Sequence, residues 1–187
     1  MSTSSGNTVV SLEVESLYIA TSQIVADPGK FHWSFYLTDS AGIATQHQWT
    51  ELRSDANKRY CEGYLSSIVD PVTTYSSNFQ GTFAFFKVRG FRFSGQQAFA
   101  RVASQAFSED RWLGFASVKK NRDAGLSCRT WVMSILGRLK TEGYLEREET
   151  PEWFEEQVKR ASIAAEDAVM RAGGLEKSAV QHSVCYL

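Results

Sequence analysis

The sequence predicts an α+β fold in which an antiparallel sheet is packed by helices. The first half of the chain contains short apolar or alternating segments bounded by turn residues, a pattern typical of strands. The second half contains apolar residues at helical spacing. Strands that come first and helices that mostly follow are typical of the α+β class rather than of alternating α/β proteins.

The composition allows a substantial core and argues against several kinds of partner. The chain has 187 residues, of which 43% are hydrophobic and 22% are charged. Its net charge of −1 gives no broad attraction to nucleic acid or to a membrane surface, so we expect neither as a partner. The first residues lack a signal peptide, and the three cysteines lie far apart, which fits a reducing compartment. We therefore expect a cytoplasmic protein.

One domain with an added C-terminal helix is expected. Residues 1–7 are polar and are predicted to be disordered, and 8–148 form a single α+β domain. Residues 149–174 form a C-terminal helix packed on the domain or on a partner, and 175–187 form a tail without a clear pattern.

The strands are expected in this order. Residues 8–15 alternate between apolar and polar side chains, as in a half-buried strand. Residues 17–25 fit either a strand or a short helix. A turn at 39–42 indicates a hairpin between its flanking strands. Further strands are expected at 31–37, 43–52, 62–69 and 82–89, and residues 111–118 are expected to be a short aromatic strand or an extended segment.

Three helices are expected in the second half. Ser94 and Gln97 match a capping box at the start of the first helix. The second helix begins near residue 128 and ends at Gly143. Thr150 and Pro151 open a long third helix, whose narrow alanine-rich stripe permits close packing. This stripe faces either the domain or a second copy of the chain in a homodimer.

Cys128 is the first candidate for chemistry, because it lies in the first turn of the second predicted helix. Unpaired backbone N–H groups and the helix dipole favour a negative charge there, which lowers the pKa of a thiol. The basic segment 119–122 strengthens this field if it folds back towards the thiol. The alternative is a small core residue, since free cysteine is among the most buried residue types.

His32 and His47 are the candidate partners of this thiol, and they lie on the two strands of the predicted hairpin. Whether they share a face depends on the register. A thiol at a helix start, a strand histidine as base and a polar group that orients the histidine form the site of thiol acyltransferases and hydrolases. The alternatives are a His32 satisfied by a backbone carbonyl and a solvent-facing His47.

This pattern resembles a family of uncharacterised fungal proteins that have a His-Trp strand and a helix with a Gly-Cys-Arg-x-Trp-Val-like motif. The matching residues here are His-Trp at 32–33 and Cys-Arg-Thr-Trp-Val at 128–132. The sequence departs from the motif at Ser127, where the family has glycine. The resemblance implies a role beside secondary-metabolite biosynthesis.

The order of histidine strand, sheet and cysteine helix over residues 8–143 is also similar to circularly permuted papain-like folds, such as the lecithin-retinol-acyltransferase-like proteins. Those proteins use a strand histidine, a polar residue on the neighbouring strand and a helix cysteine. The resemblance implies a pair formed by Cys128 and His32, with His47 or a neighbouring glutamine as the orienting group. A fold alone does not imply activity.

Three further residues are candidates for substrate binding. Arg129 follows the thiol and is suited to a carboxylate, whereas Trp33 and Trp131 are suited to an apolar pocket. The alternatives are a solvated arginine and plain core tryptophans. The sequence has no spaced cluster of metal ligands, so we expect neither a metal nor another cofactor; a zinc site made of the two histidines and the cysteine is the alternative.

The leading hypothesis is a small intracellular enzyme in which Cys128 is the nucleophile and His32 the base. Its substrate would be a small molecule with an acyl, amide or thioester group. A second hypothesis is a pocket that binds a hydrophobic metabolite and steers its cyclisation or isomerisation, with His32 or Arg129 as acid or anchor. A third is a non-enzymatic interaction module that presents the helix at 151–172.

Overall fold

The backbone combines a sheet of six strands with four helices in the part of the chain that the structure describes. The structure is a computed structural model that describes residues 12–24, 29–53, 60–69, 82–107, 118–171 and 183–187. In chain order the elements are β1 (Leu17–Gln23), β2 (Phe31–Thr38), β3 (Ala44–Arg53), β4 (Tyr60–Val69), β5 (Thr82–Lys87), α1 (Gln96–Gln105), α2 (Val118–Asp123), α3 (Cys128–Thr141), α4 (Pro151–Arg171) and β6 (Ser183–Tyr186).

The strands lie in the order β4-β3-β2-β1-β5-β6. The first five form antiparallel pairs, and β6 adds to β5 in parallel. The predicted α+β class, an antiparallel sheet packed by helices, is confirmed. The segment 17–25, which fitted a strand or a helix, contains β1 at the centre of the sheet. Strand β6 lies in the tail, for which no element was expected.

The two faces of the sheet carry different layers. Ile19, Phe35 and Trp49 point to the main core, which the helices complete, and this side is called the helix face below. Tyr18 and Tyr36 point the other way, to a smaller buried cluster on the opposite face. Strands β1 and β2 are therefore buried on both sides, which explains their nearly continuous apolar sequence.

Helix α3 lies in the middle of the helical layer. Its residues Val132, Ile135, Leu136 and Leu139 are all buried against the sheet, as their helical spacing predicts. Gly143 follows the helix with a positive φ of 77°, which L-residues with a side chain rarely adopt. This helix therefore begins and ends close to where the sequence placed it.

Helix α4 packs on the domain through its narrow stripe. Phe154 and Val158 are buried in the main core, and Ala161 and Ala165 pack against it. Ser162 and Thr21 are joined by a hydrogen bond of 2.8 Å between their hydroxyls. Glu166 accepts a hydrogen bond of 2.9 Å from the backbone N–H of Gly29, in the segment between β1 and β2. The stripe therefore packs within the chain from Phe154 to Ala165.

The expected strand at 8–15 is wrong in its described part. Residues 12–15 form an irregular segment and a turn, and Glu15 has a positive φ of 50°. Val14, which the alternation placed in a core, is 55% exposed. The backbone N–H of Glu15 bonds to the carbonyl of Asp39, so this segment crosses the hairpin turn instead of joining the sheet. The rest of that strand and the expected disordered residues 1–7 lie outside the described residues.

Two local assignments around α1 and α2 also differ from the sequence prediction. The N-cap of α1 is Gly95, without a side-chain hydrogen bond, so the expected capping box at Ser94 is not formed. The helix starts one residue too late for the Ser94 hydroxyl to stand at the cap. The basic segment 119–122, expected as a loop, belongs to α2. Residues 111–117 of the expected aromatic strand lie outside the described residues.

Within the described parts of the chain, no helix is long and apolar enough to cross a membrane.

Candidate active site

The start of α3 fixes the position of the Cys128 thiol. Ser127 is the N-cap, and its hydroxyl accepts a hydrogen bond from the backbone N–H of Thr130. The Thr130 hydroxyl accepts in turn from the backbone N–H of Ser127 at 2.9 Å, which completes a capping box. Ser127 is extended, with φ −154°, so the position that departs from the fungal motif does not require glycine. Cys128 is the first residue of the helix.

The sheet opens where the thiol meets it. The pairing of β2 with β3 runs from Thr38–Ala44 to Ser34–Gln48, while β3 continues along β4 as far as Arg53. Beyond the Ser34–Gln48 pair, the two strands therefore diverge within the described residues. The His32 ring and the Trp33 backbone N–H both lower the pKa of the Cys128 thiol, so the thiol lies beside this diverging part of β2.

His32 has a defined orientation at this opening. Side chains alternate along a strand, so His32 points to the same face as Ser34, and Gln48 pairs with Ser34. The side chains of His32 and Gln48 therefore share the face opposite the helix face. His32 Nε2 lies 2.9 Å from Gln48 Oε1. An amide oxygen only accepts hydrogen bonds, so Nε2 carries the proton. In the neutral ring Nδ1 then has a lone pair, which is what a base facing the thiol needs.

The pKa values of Cys128 and His32 are shifted in opposite directions. Burial by itself raises the pKa of the Cys128 thiol, but the hydrogen bond and charge of His32, the Trp33 N–H and the Arg122 charge lower it overall. Burial lowers the pKa of His32, yet the hydrogen bond and charge of Cys128 and the bond with Gln48 raise it overall, against Arg122. Opposite shifts are expected when a thiolate and an imidazolium stabilise each other.

His47 lies away from this pair. Residues 47 and 48 point to opposite faces of β3, so the side chain of His47 enters the helix face. Its Nδ1 lies 2.8 Å from the Tyr64 hydroxyl, and its ring packs edge-on against Phe99 at 4.8 Å between centroids. The imidazole is 1% exposed, and burial lowers its pKa to about 4. The polar side chain that bonds to His32 is therefore Gln48, one of the neighbouring glutamines, and not His47.

The three residues expected to bind substrate also lie elsewhere. Trp131 is fully buried, and its indole N–H donates to the carbonyl of Ala103 at 3.1 Å. The ring of Trp33 is buried in the same core, so only its backbone reaches the thiol. Arg129 extends towards α4, where it lies 3.5 Å from Glu155. Of the expected site residues, the structure brings together Cys128 and His32.

A charged cluster beside the thiol includes residues that the sequence analysis did not identify. Glu62 of β4 is 4% exposed and accepts hydrogen bonds from Asn121 Nδ2 at 2.7 Å and from Arg122 at both carboxylate oxygens. A signal for Glu62 was present, because it has the same strand parity as Tyr64, whose ring packs on the helix face. A carboxylate at an inward position needs a charged partner.

No group of three or more His, Cys, Asp or Glu side chains that could hold a metal ion occurs among the described residues. Comparison of the chain with protein-family models, curated proteins and solved structures gives no match.

Proposed function

We propose that this protein is a thiol-dependent enzyme that acts on an acyl, amide or thioester group of a small molecule. The observation that carries the proposal is the series Cys128–His32–Gln48, in which a helix-start thiol contacts an imidazole whose far nitrogen bonds to an amide oxygen. The residue types and their order are those of a nucleophile, a base and an orienting group.

The reaction would proceed in two halves. His32 Nδ1 takes the thiol proton, and the Cys128 sulfur attacks the carbonyl carbon of the substrate. The bond from carbon to the leaving group breaks, the leaving group takes the proton from His32, and a thioester with Cys128 remains. Water or another acceptor then gives a proton to His32 and attacks the thioester, which releases the thiolate. Backbone N–H groups at the start of α3 are suited to the oxyanion formed in each half.

The resemblance to permuted papain-like proteins belongs to the same proposal. It is supported by the order of the elements: a histidine strand, a neighbouring strand with the orienting amide, and later the cysteine helix. A cytoplasmic location fits the proposal as well, because reducing conditions protect a nucleophilic thiol from oxidation. The role beside secondary-metabolite biosynthesis remains a prediction.

Neither alternative function gains support from the described residues. Trp33 and Trp131, which were to line an aromatic pocket, are buried in the core. The first part of the α4 stripe, which was expected to face either the domain or a second copy, packs on the domain through Phe154, Val158, Ala161 and Ala165. The thiol site is therefore the feature on which a function is best proposed.

Site-resolved alkylation with iodoacetamide tests the proposal. In the native protein, Cys128 should label at least about tenfold faster at neutral pH than an ordinary thiol, with a midpoint below its usual pKa of about 8.5. Incubation with an activated thioester should leave an acyl group on the Cys128 sulfur, which mass spectrometry detects. The Cys128→Ser variant should not form this thioester adduct. Slow, ordinary labelling of Cys128 together with the absence of an acyl adduct would contradict the proposal.

A further inference from the structure

The segment before Cys128 is held by an ion pair between the buried Glu62 carboxylate and the partly exposed Arg122 guanidinium. This pair lies outside the series Cys128–His32–Gln48. Glu62 accepts from Arg122 at both oxygens, with 2.9 Å to Nη1 and 2.6 Å to Nη2. Such a bidentate pair fixes the plane of a guanidinium more firmly than a single contact. The third bond to Glu62, from Asn121 Nδ2, ties the preceding residue of α2 to the same carboxylate.

Arg122 also reaches forward along the chain. Its Nη1 donates to the carbonyl of Leu126 at 2.6 Å, two residues before Cys128. The same turn is closed by backbone bonds from Gly125 to Arg122 and from Leu126 to Asn121. Strand β4 is thus linked through Arg122 to the turn from which α3 starts.

The charge of Arg122 faces the reacting pair as well. It favours the thiolate of Cys128 and disfavours the imidazolium of His32, so it lowers the pKa of both groups. Gln48, the remaining partner of His32, is neutral, and Glu62 balances the arginine from the β4 side. Arg122 therefore contributes to the site in two ways: it bonds to the turn before Cys128, and its charge favours the thiolate.

We propose that Arg122, fixed by Glu62, is a positioning residue for Cys128. It holds the turn before the nucleophile through the Leu126 carbonyl and presents a positive charge to the sulfur. This inference rests on the proposed function in so far as the positioned sulfur is the nucleophile. It adds a residue that acts through Cys128 and that does not touch the substrate.

The test compares two arginines of the same chain. Arg122→Gln removes the charge and the clamp, and Arg129→Gln removes an equally exposed charge next to Cys128 in sequence (45% against 43% exposed side chain) that pairs with Glu155 instead. The readout is the thiolate titration of Cys128, obtained as the ultraviolet difference between each protein and its Cys128→Ala counterpart. This readout needs no substrate.

Arg122→Gln should raise the titration midpoint of Cys128 by about half a pH unit, a reduced value because the arginine is partly exposed. Arg129→Gln should leave the midpoint unchanged. The midpoint of Arg122→Lys should lie between those of Arg122→Gln and wild type, because lysine keeps the charge but cannot form the bidentate bond to Glu62. A merely structural ion pair would change thermal stability without moving the midpoint. Equal midpoints in wild type and folded Arg122→Gln, or equal shifts in both glutamine variants, would overturn the inference.

The outcome separates this inference from the proposed function. An acyl adduct on wild-type Cys128 with an unmoved midpoint in Arg122→Gln rejects the positioning role alone. A moved midpoint without any acyl adduct or fast labelling in wild type rejects the enzyme alone. Should Arg122→Gln fail to fold, Arg122→Lys decides: its midpoint should lie above that of wild type, because the lysine keeps the charge but loses the two-pronged bond to Glu62, and an unmoved midpoint would overturn the inference.

Discussion

The two histidines of the central hairpin lie on neighbouring strands, yet they have opposite properties. His32 contacts a thiol and an amide oxygen at the opening of the sheet, and its pKa is raised. His47 is sealed between Tyr64 and Phe99, and its pKa is lowered to about 4. Burial acts on both imidazoles in the same direction. The difference comes from Cys128, which can return a negative charge to His32 and has no counterpart at His47.

The comparison makes His32 the better candidate for a base, because an acidic group shares its proton and stabilises its charged form. A neutral partner such as the Tyr64 hydroxyl satisfies a ring nitrogen without supporting its charge. His47 is therefore interpreted as part of the core and His32 as part of the site.

The largest expected effect is a difference between the two histidines in the rate of Cys128 acylation. His32→Ala should reduce the rate at which an activated thioester acylates Cys128 by roughly 10²–10⁴-fold, because it removes the general base. His47→Gln should change this rate by only a few fold, since its side chain lies on the other face. Single-turnover mass spectrometry measures both. Equal losses of acylation rate in the two variants would show that His32 is not the specific base of Cys128.

The next effect is a difference between His47 and His32 in how the unfolding free energy depends on pH. The folded-state pKa of His47 is about 4, below its unfolded value of about 6.5, so its contribution to stability is present above pH 6.5 and is lost as the pH falls through 4. The loss is up to about 3 kcal/mol. Urea unfolding of wild type and His47→Gln at neutral and acidic pH measures it.

In that experiment the variant should lose less stability on acidification than wild type. His32→Gln serves as the matched control, because it should keep the acid sensitivity that His47 causes. A wild type and a His47→Gln variant with parallel pH dependence would show that His47 is not the sensitive group.

A smaller effect tests the orienting bond of His32. Gln48→Leu should lower the acylation rate about tenfold, the worth of one neutral hydrogen bond, without a matching change in substrate binding. Gln46→Leu is the control on the same strand and face, since its amide lies 3.4 Å from Ser34 and does not bond to His32. If both variants behave alike, the bond to Gln48 does not orient the imidazole.

The smallest effect concerns the cap that precedes the thiol. Ser127→Ala should cost about 1 kcal/mol of unfolding free energy, and Ser127→Gly only a few tenths, because glycine also suits the N-cap position. Thermal or urea unfolding at neutral pH gives both values. A larger loss for glycine than for alanine would mean that the capping box contributes little here.

Part of the site could be predicted because it depends on short segments. The apolar spacing of α3 and its first-turn cysteine are readable within fifteen residues, as is the turn between β2 and β3. The choice between His47 and Gln48 was not readable. Both lie in the same polar run, and a shift of one residue in the register exchanges their faces.

Other residues were missed for the same physical reason. Glu62 was missed because it is separated from Arg122 by 60 positions: its parity on β4 turns the carboxylate inward, but only the fold brings it to the end of a short helix. The irregular path of residues 12–15 likewise follows from a bond to the distant Asp39 carbonyl, which overrides their alternating pattern.

The sequence by itself determined the α+β class, the amphipathic helix α3 and the place of Cys128 in its first turn. These features follow from hydrogen bonds and apolar spacing within a few residues. Only the tertiary structure decided the strand order, the parallel addition of β6, the opening between β2 and β3, and the choice of His32 with Gln48. Those features depend on register and on contacts between distant segments. Such contacts contribute free energy only once the chain has folded and brought the segments together.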